Sequence, residues 1–72
     1  MDTRVLVNFG KNLKRYRLES NLTQEKLAEL VGIHPTYVGK LEIGKCNPSV
    51  KMLFRISRAL DVKLFDIFDF DK

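Results

Sequence analysis

Apolar residues recur along this chain at three- and four-residue intervals, the spacing that lines one face of a helix. Leu6, Phe9, Leu13 and Tyr16 form the first such face. Asn8 is a candidate cap for this helix, which alternatively begins a few residues earlier, and Ser20-Asn21 marks its end. Thr23 is a good N-cap for a second helix, and Glu25 falls in its first turn, where the helix dipole favours an acid. Leu27, Ala28 and Val31 face inward, and Gly32 ends the helix in a left-handed conformation. Pro35 suits the first turn of a third helix, because its missing N–H has no partner there anyway. That helix buries Val38 and Leu41, runs to about Ile43 and stops at Gly44. Ser49 caps a fourth helix with inner positions Val50, Leu53, Ile56 or Ser57, and Leu60. After a break at 61–63, residues 64–68 make a last turn or two. Nothing alternates with period two for long enough to make a strand, so the pattern predicts an all-α fold.

Composition narrows the options. Seventy-two residues make one small domain, 1–72, which buries only roughly 60% of its unfolded surface. No apolar run approaches the roughly 20 residues of a membrane span. The start of the chain is no signal peptide, since Asp2 and Arg4 interrupt it. Cys46 is the single cysteine and His34 the single histidine. An intramolecular disulfide, a thiolate zinc cluster and a histidine metal site are therefore not expected. The compartment expected is the reducing cytoplasm, with no cofactor, metal or small-molecule ligand. No Ser-His-Asp set, phosphate-cradling glycine loop or acid–base carboxylate pair is present, so no catalysis is expected. The net charge of +4 is uneven. Residues 1–60 carry 11 basic and 5 acidic side chains, whereas Lys63 and Lys72 face Asp61, Asp66, Asp69 and Asp71 in the tail. A basic body suits a polyanion; the acidic tail does not.

The informative block runs from Gln24 to Leu41. A short second helix, a glycine and a third helix two or three residues later make a bihelical corner. Ala28 is small enough for the third helix to cross closely, and Ile33, Val38 and Leu41 tie the corner into the core. The outer face of the third helix is then free to enter a major groove. The stretch Leu22-Thr23-Gln24-Glu25-Lys26-Leu27-Ala28, with Val31-Gly32-Ile33, Leu41-Glu42-Ile43-Gly44-Lys45 and Asn47-Pro48-Ser49, resembles the lambda-repressor/Cro family, also called the xenobiotic-response-element family. The likeness covers roughly residues 9–68, with the helix-turn-helix at about 23–43. It implies a five-helix, lambda-repressor-like DNA-binding domain that acts as a homodimer on a near-palindromic operator. The Thr36-Tyr37-Val38 run resembles restriction–modification controller proteins; a Cro-like phage repressor fits nearly as well.

Candidate contacts follow helix by helix. Thr36 and Lys40, four apart, share the outward side of the third helix, with Tyr37 beside them. Lysine donates to guanine O6 and N7, a threonine methyl meets a thymine methyl, and tyrosine reaches a phosphate or the groove edge. Tyr37 and Pro35 join Thr36 and Lys40 as candidate base contacts; Pro35 stands where relatives often carry a polar base-reading side chain, so it acts through shape. Gln24 at a helix start is implied by the resemblance to touch a phosphate and brace the third helix. Thr23, His34, Lys45, Asn47 and Ser49 complete the phosphate set, His34 alternatively serving as a cap. The resemblance implies an Arg17–Glu42 pair holding the first helix on the third, with Arg17 also near a phosphate. Mid-helix Gly39 reads as room for DNA or for another helix.

The tail 61–72 is unusually apolar. Leu64, Ile67 and Phe68 have the spacing to close the core. Phe54, Phe65 and Phe70 are left over, and with Phe68 they form the candidate dimer interface. The reading is a sequence-specific regulator of transcription that binds double-stranded DNA. The rival is an antitoxin-type module holding a partner toxin through this tail.

Overall fold

The computed structural model describes residues 1–70; Asp71 and Lys72, counted in the acidic tail and the segment 61–72, lie outside the described residues. Five helices follow one another: α1 (Thr3–Glu19), α2 (Gln24–Val31), α3 (Pro35–Glu42), α4 (Val50–Ala59) and α5 (Leu64–Ile67). No strand occurs among the described residues. The fold is all-α, as the spacing predicts.

Side chains close the front of each helix. Asp2 accepts from the Arg4 amide, so α1 starts there rather than at Asn8. Thr23 accepts from Lys26 at 3.0 Å and Ser49 from Met52 at 3.1 Å. The Lys63 amide donates to the Asp66 carboxylate at the head of α5. A side-chain cap of this kind contributes about 1 kcal/mol by taking up an amide that the helix leaves unpaired.

The four longer helices end alike. Each is followed by one residue of positive φ: Asn21 (58°), Gly32 (86°), Gly44 (77°) and Asp61 (54°). The next amide then donates back five residues: Leu22 to Arg17, Ile33 to Ala28, Lys45 to Lys40 and Val62 to Ser57, at 2.9–3.1 Å. Satisfying the last carbonyls this way turns the chain sharply with no long loop. Asparagine and aspartate tolerate that backbone region better than other side chains.

One core serves all five helices. Phe9, Leu13, Leu27, Ala28, Val31, Val38, Leu41, Leu53, Ile56, Leu60 and Ile67 are buried. Val50, placed on the inner face of α4 by its spacing, is instead 67% exposed. It lies in the first turn of α4, directly after the Ser49 cap; Met52 is the first residue of that helix to pack on the core and Leu53 the first to be buried. The inner positions further along are both Ile56 and Ser57; the Ser57 hydroxyl donates to the Phe54 carbonyl at 2.8 Å.

The last turn is fastened by α1. Asn12 Nδ2 donates to the carbonyls of Ile67 (2.8 Å) and Asp69 (3.2 Å), and the Tyr16 hydroxyl to that of Asp66 (3.4 Å). Phe68 stacks on buried Phe9 with ring centroids 5.5 Å apart, and Phe70 meets Phe68 edge-on at 6.1 Å. A four-residue helix cannot stand alone; these contacts hold it.

Candidate nucleic-acid interface

The position of α3 is set by α1. Gly10 is buried, and a Cβ added there would lie 2.5 Å from the carbonyl oxygens of both Leu41 and Glu42. Only a residue without a side chain lets the two helices meet so closely. One turn pair further along, Arg17 spans the same gap. Its Nε donates to Glu42 Oε2 at 2.5 Å and its Nη2 to Glu42 Oε1 at 3.1 Å. Its Nη1 donates to the Leu22 carbonyl at 2.8 Å. Gln24 Nε2, at the head of α2, adds a bond of 3.0 Å to Glu42 Oε1. The Glu42 carboxylate thus joins α1, α2 and the last turn of α3, and no buried side-chain polar atom among the described residues is left without a partner.

The phosphate role for Arg17 meets a difficulty here. The residue is 7% exposed and all three guanidinium nitrogens point at internal acceptors. Gln24 is half-buried, with its amide nitrogen on Glu42.

The outer side of α3 carries exposed Thr36 and Lys40 one turn apart. Tyr37 is half-buried and packs partly on the core. Pro35 is half-buried at the first helical position, and exposed His34 caps the helix, its Nδ1 accepting from the Thr36 amide at 3.1 Å. Gly39 has ordinary room toward α2, where an added Cβ would find the Gln24 side chain at 3.8 Å. Helix packing therefore does not require glycine at that position.

Exposed polar groups flank α3 in two segments: Thr23, beside Gln24 at the head of α2, and then Lys45, Asn47 and Ser49 after the last turn of α3. The turn into this second flank is fixed by Gly44, whose positive φ is joined by tight packing: an added Cβ would lie 2.9 Å from a Val7 methyl. Cys46 is half-buried against the core. Of the four aromatics at the other end, Phe54 (53%) and Phe65 (76%) are well exposed, Phe70 is 37% exposed, and Phe68 is half-buried on Phe9.

Three features escaped the sequence reading. Gly10 between Phe9 and Lys11 breaks an otherwise good helical run, and a glycine inside an apolar face signals close backbone approach. The resemblance implies a brace at Gln24, but its partner Glu42 and the Asn12 clamp carry no local signal, since both bonds join residues distant in the chain.

A helix-turn-helix family model matches residues 13–67. An uncharacterized HTH-type transcriptional regulator from Archaeoglobus fulgidus is 43% identical over 60 residues, 83% of this chain and 84% of that protein. Control protein C.BamHI from Bacillus amyloliquefaciens is 38% identical over 71 residues, 97% of this chain and 88% of that one. The crystal structure of the restriction-modification controller protein C.AhdI from Aeromonas hydrophila superposes with a TM-score of 0.84 at 37% identity, covering 86% of this chain and 94% of that one. The chain belongs to the helix-turn-helix family of DNA-binding regulators, with a controller-protein-like, lambda-repressor-like fold. Family membership makes it a regulator and not an enzyme.

Among the described residues, no helix is long and apolar enough to cross a membrane.

Proposed function

We propose that this chain acts in the cytoplasm as a regulator of transcription, binding a near-palindromic operator as a homodimer with α3 in the major groove. One observation carries the reading: α3 is locked to α1 and α2 from inside while Thr36 and Lys40 stay exposed outside. A helix with its side chains is about 10–12 Å across, which fits the roughly 12 Å width of the major groove. Thr36 and Lys40 are the base contacts, and Tyr37 and Pro35 lie at the groove edge. Thr23, Gln24, His34, Lys45, Asn47 and Ser49 follow the phosphates. Arg17 serves as a positioning residue through Glu42.

Geometry also favours two copies. One chain has one reading helix and a longest extent of 27 Å, whereas successive major grooves lie about 34 Å apart. Phe54 and Phe65 are the exposed aromatic residues through which a second copy joins, with Phe70 at the edge and Phe68 behind them. The acidic charge of the tail keeps this end off DNA. C.AhdI is a restriction-modification controller protein, and a controller-type role suits this chain too.

Sedimentation of the chain with and without a duplex carrying its selected site tests the assembly. The proposal expects a dimer at tens of micromolar and one dimer per site, with affinity falling steeply as salt is raised. A monomer under both conditions contradicts the dimer. Co-purification of the intact chain with a toxin seated on Phe65, and no DNA binding, favours the antitoxin reading instead.

A further inference from the structure

Between α2 and α4 the surface opens into a groove of about 540 Å³ lined by Leu30, Val31, Arg55, Arg58 and Ala59. No residue of α3 lines it. Its apolar part is made by buried Val31, half-buried Ala59 and the 52%-exposed Leu30. The remainder is two exposed guanidinium groups, and no carboxylate among the described residues lines the groove. Arg55 and Arg58 continue a stripe from exposed Lys51 at positions i, i+4 and i+7 of α4. Other cations find partners: Arg15 on Glu19, Arg17 on Glu42 and Lys26 on Glu29. Among the described residues, none of the three along this stripe has a carboxylate within ion-pair distance.

The stripe leads away from the proposed DNA contacts. Ser49 stands at the start of α4, and Arg58 lies seven residues beyond Lys51, about 10 Å along the axis. Two kinds of anion could answer the charge. A phosphate chain would satisfy the arginines but offer nothing apolar to cover Leu30 and Ala59. A protein segment with an apolar side chain between carboxylates satisfies both, and planar arginines take carboxylates in a two-point grip.

We propose that the α2–α4 groove docks an acidic, apolar-sided helical segment of a partner protein, with a Leu- or Phe-sized side chain over Val31 and Ala59 and carboxylates on Arg55 and Arg58. Docking there leaves α3 uncovered, so the partner is held while the chain is on DNA. This inference is distinct from the dimer reading but borders it, since Phe54 lies one turn before Arg58 on α4.

The test uses the full, isotope-labelled chain and a synthetic acetylated helix with two leucines four apart, flanked by glutamates. A second peptide replaces each glutamate with glutamine, and a third replaces each with lysine. Saturable shifts should cluster on the amides and methyls of Leu30, Val31 and Ala59. The glutamine peptide should bind at least tenfold more weakly. The doubly reversed variant Arg55→Glu/Arg58→Glu should lose the acidic peptide by at least tenfold and gain the lysine peptide. Both positions are exposed, so the variant keeps its helical spectrum. The proposal is overturned by any of four results: no saturation at millimolar peptide, equal binding of the glutamine peptide, the same shifts with inorganic triphosphate or a non-operator duplex, or concentration-dependent shifts at these residues without peptide. The last result would assign the groove to a second copy.

Discussion

Glu42 accepts three side-chain hydrogen bonds, two from Arg17 and one from Gln24, in a nearly closed environment. Removing one side of such a pair leaves a buried charge alone, which costs about 3–5 kcal/mol. Arg17→Ala is therefore expected to lower unfolding free energy by that much in urea titration, against a smaller loss for Gln24→Ala. Gly10 and Gly39 make a second contrast. Gly10→Ala drives a methyl into two backbone carbonyls and is expected to destabilise strongly. Gly39→Ala meets only ordinary contact and gains helix propensity, so it should stabilise by up to about 1 kcal/mol. Should Gly39→Ala raise the melting temperature yet weaken operator binding, glycine there serves the approach to DNA. Lys40→Ala is expected to lose about 1–3 kcal/mol of discrimination at one base pair. A uniform loss across all sequences would make Lys40 a phosphate contact only.

At the scale of helices, the capping residues were the most legible feature. Thr23, Gly32, Pro35, Gly44 and Ser49 punctuate the chain where α2, α3 and α4 begin or end, because each residue type answers a local backbone need. Asn21 and Asp61 serve as Gly32 does, yet a left-handed asparagine or aspartate leaves a weaker mark than a glycine. Val50 shows the limit of periodicity: spacing gives a face, but not where along the helix the core begins. The inward turn of Arg17 was legible as a pair with Glu42, while its further bond to the Leu22 carbonyl, a tertiary contact, was not. The hold of α1 on α5 was invisible for the same reason. Asn12→Leu removes the donor shared by Ile67 and Asp69. It is expected to cost about 1–3 kcal/mol and to speed amide exchange in residues 64–69 well before the rest of the chain.

The whole molecule is polar in layout. A basic body carries α3, its flanks and α4 with exposed Phe54, while the acidic residues Asp61, Asp66 and Asp69 lie on and around α5 with exposed Phe65. In the proposed complex this separation would keep like charge away from phosphate and leave apolar area for a second copy. Phe65→Ser is expected to shift the chain to monomer at tens of micromolar without lowering its melting temperature, since the ring is 76% exposed. Operator affinity should fall with it, because one reading helix alone cannot span two grooves.

The most direct measurement is selection of bound sequences from a random duplex pool, run in parallel for the natural chain and Lys40→Ala. An inverted repeat with half-sites about 10 base pairs apart should be enriched, and the variant should relax the same position in each half. Recovery of no common sequence, or of an identical one with the variant, would contradict the reading of α3 as the surface that distinguishes one duplex from another.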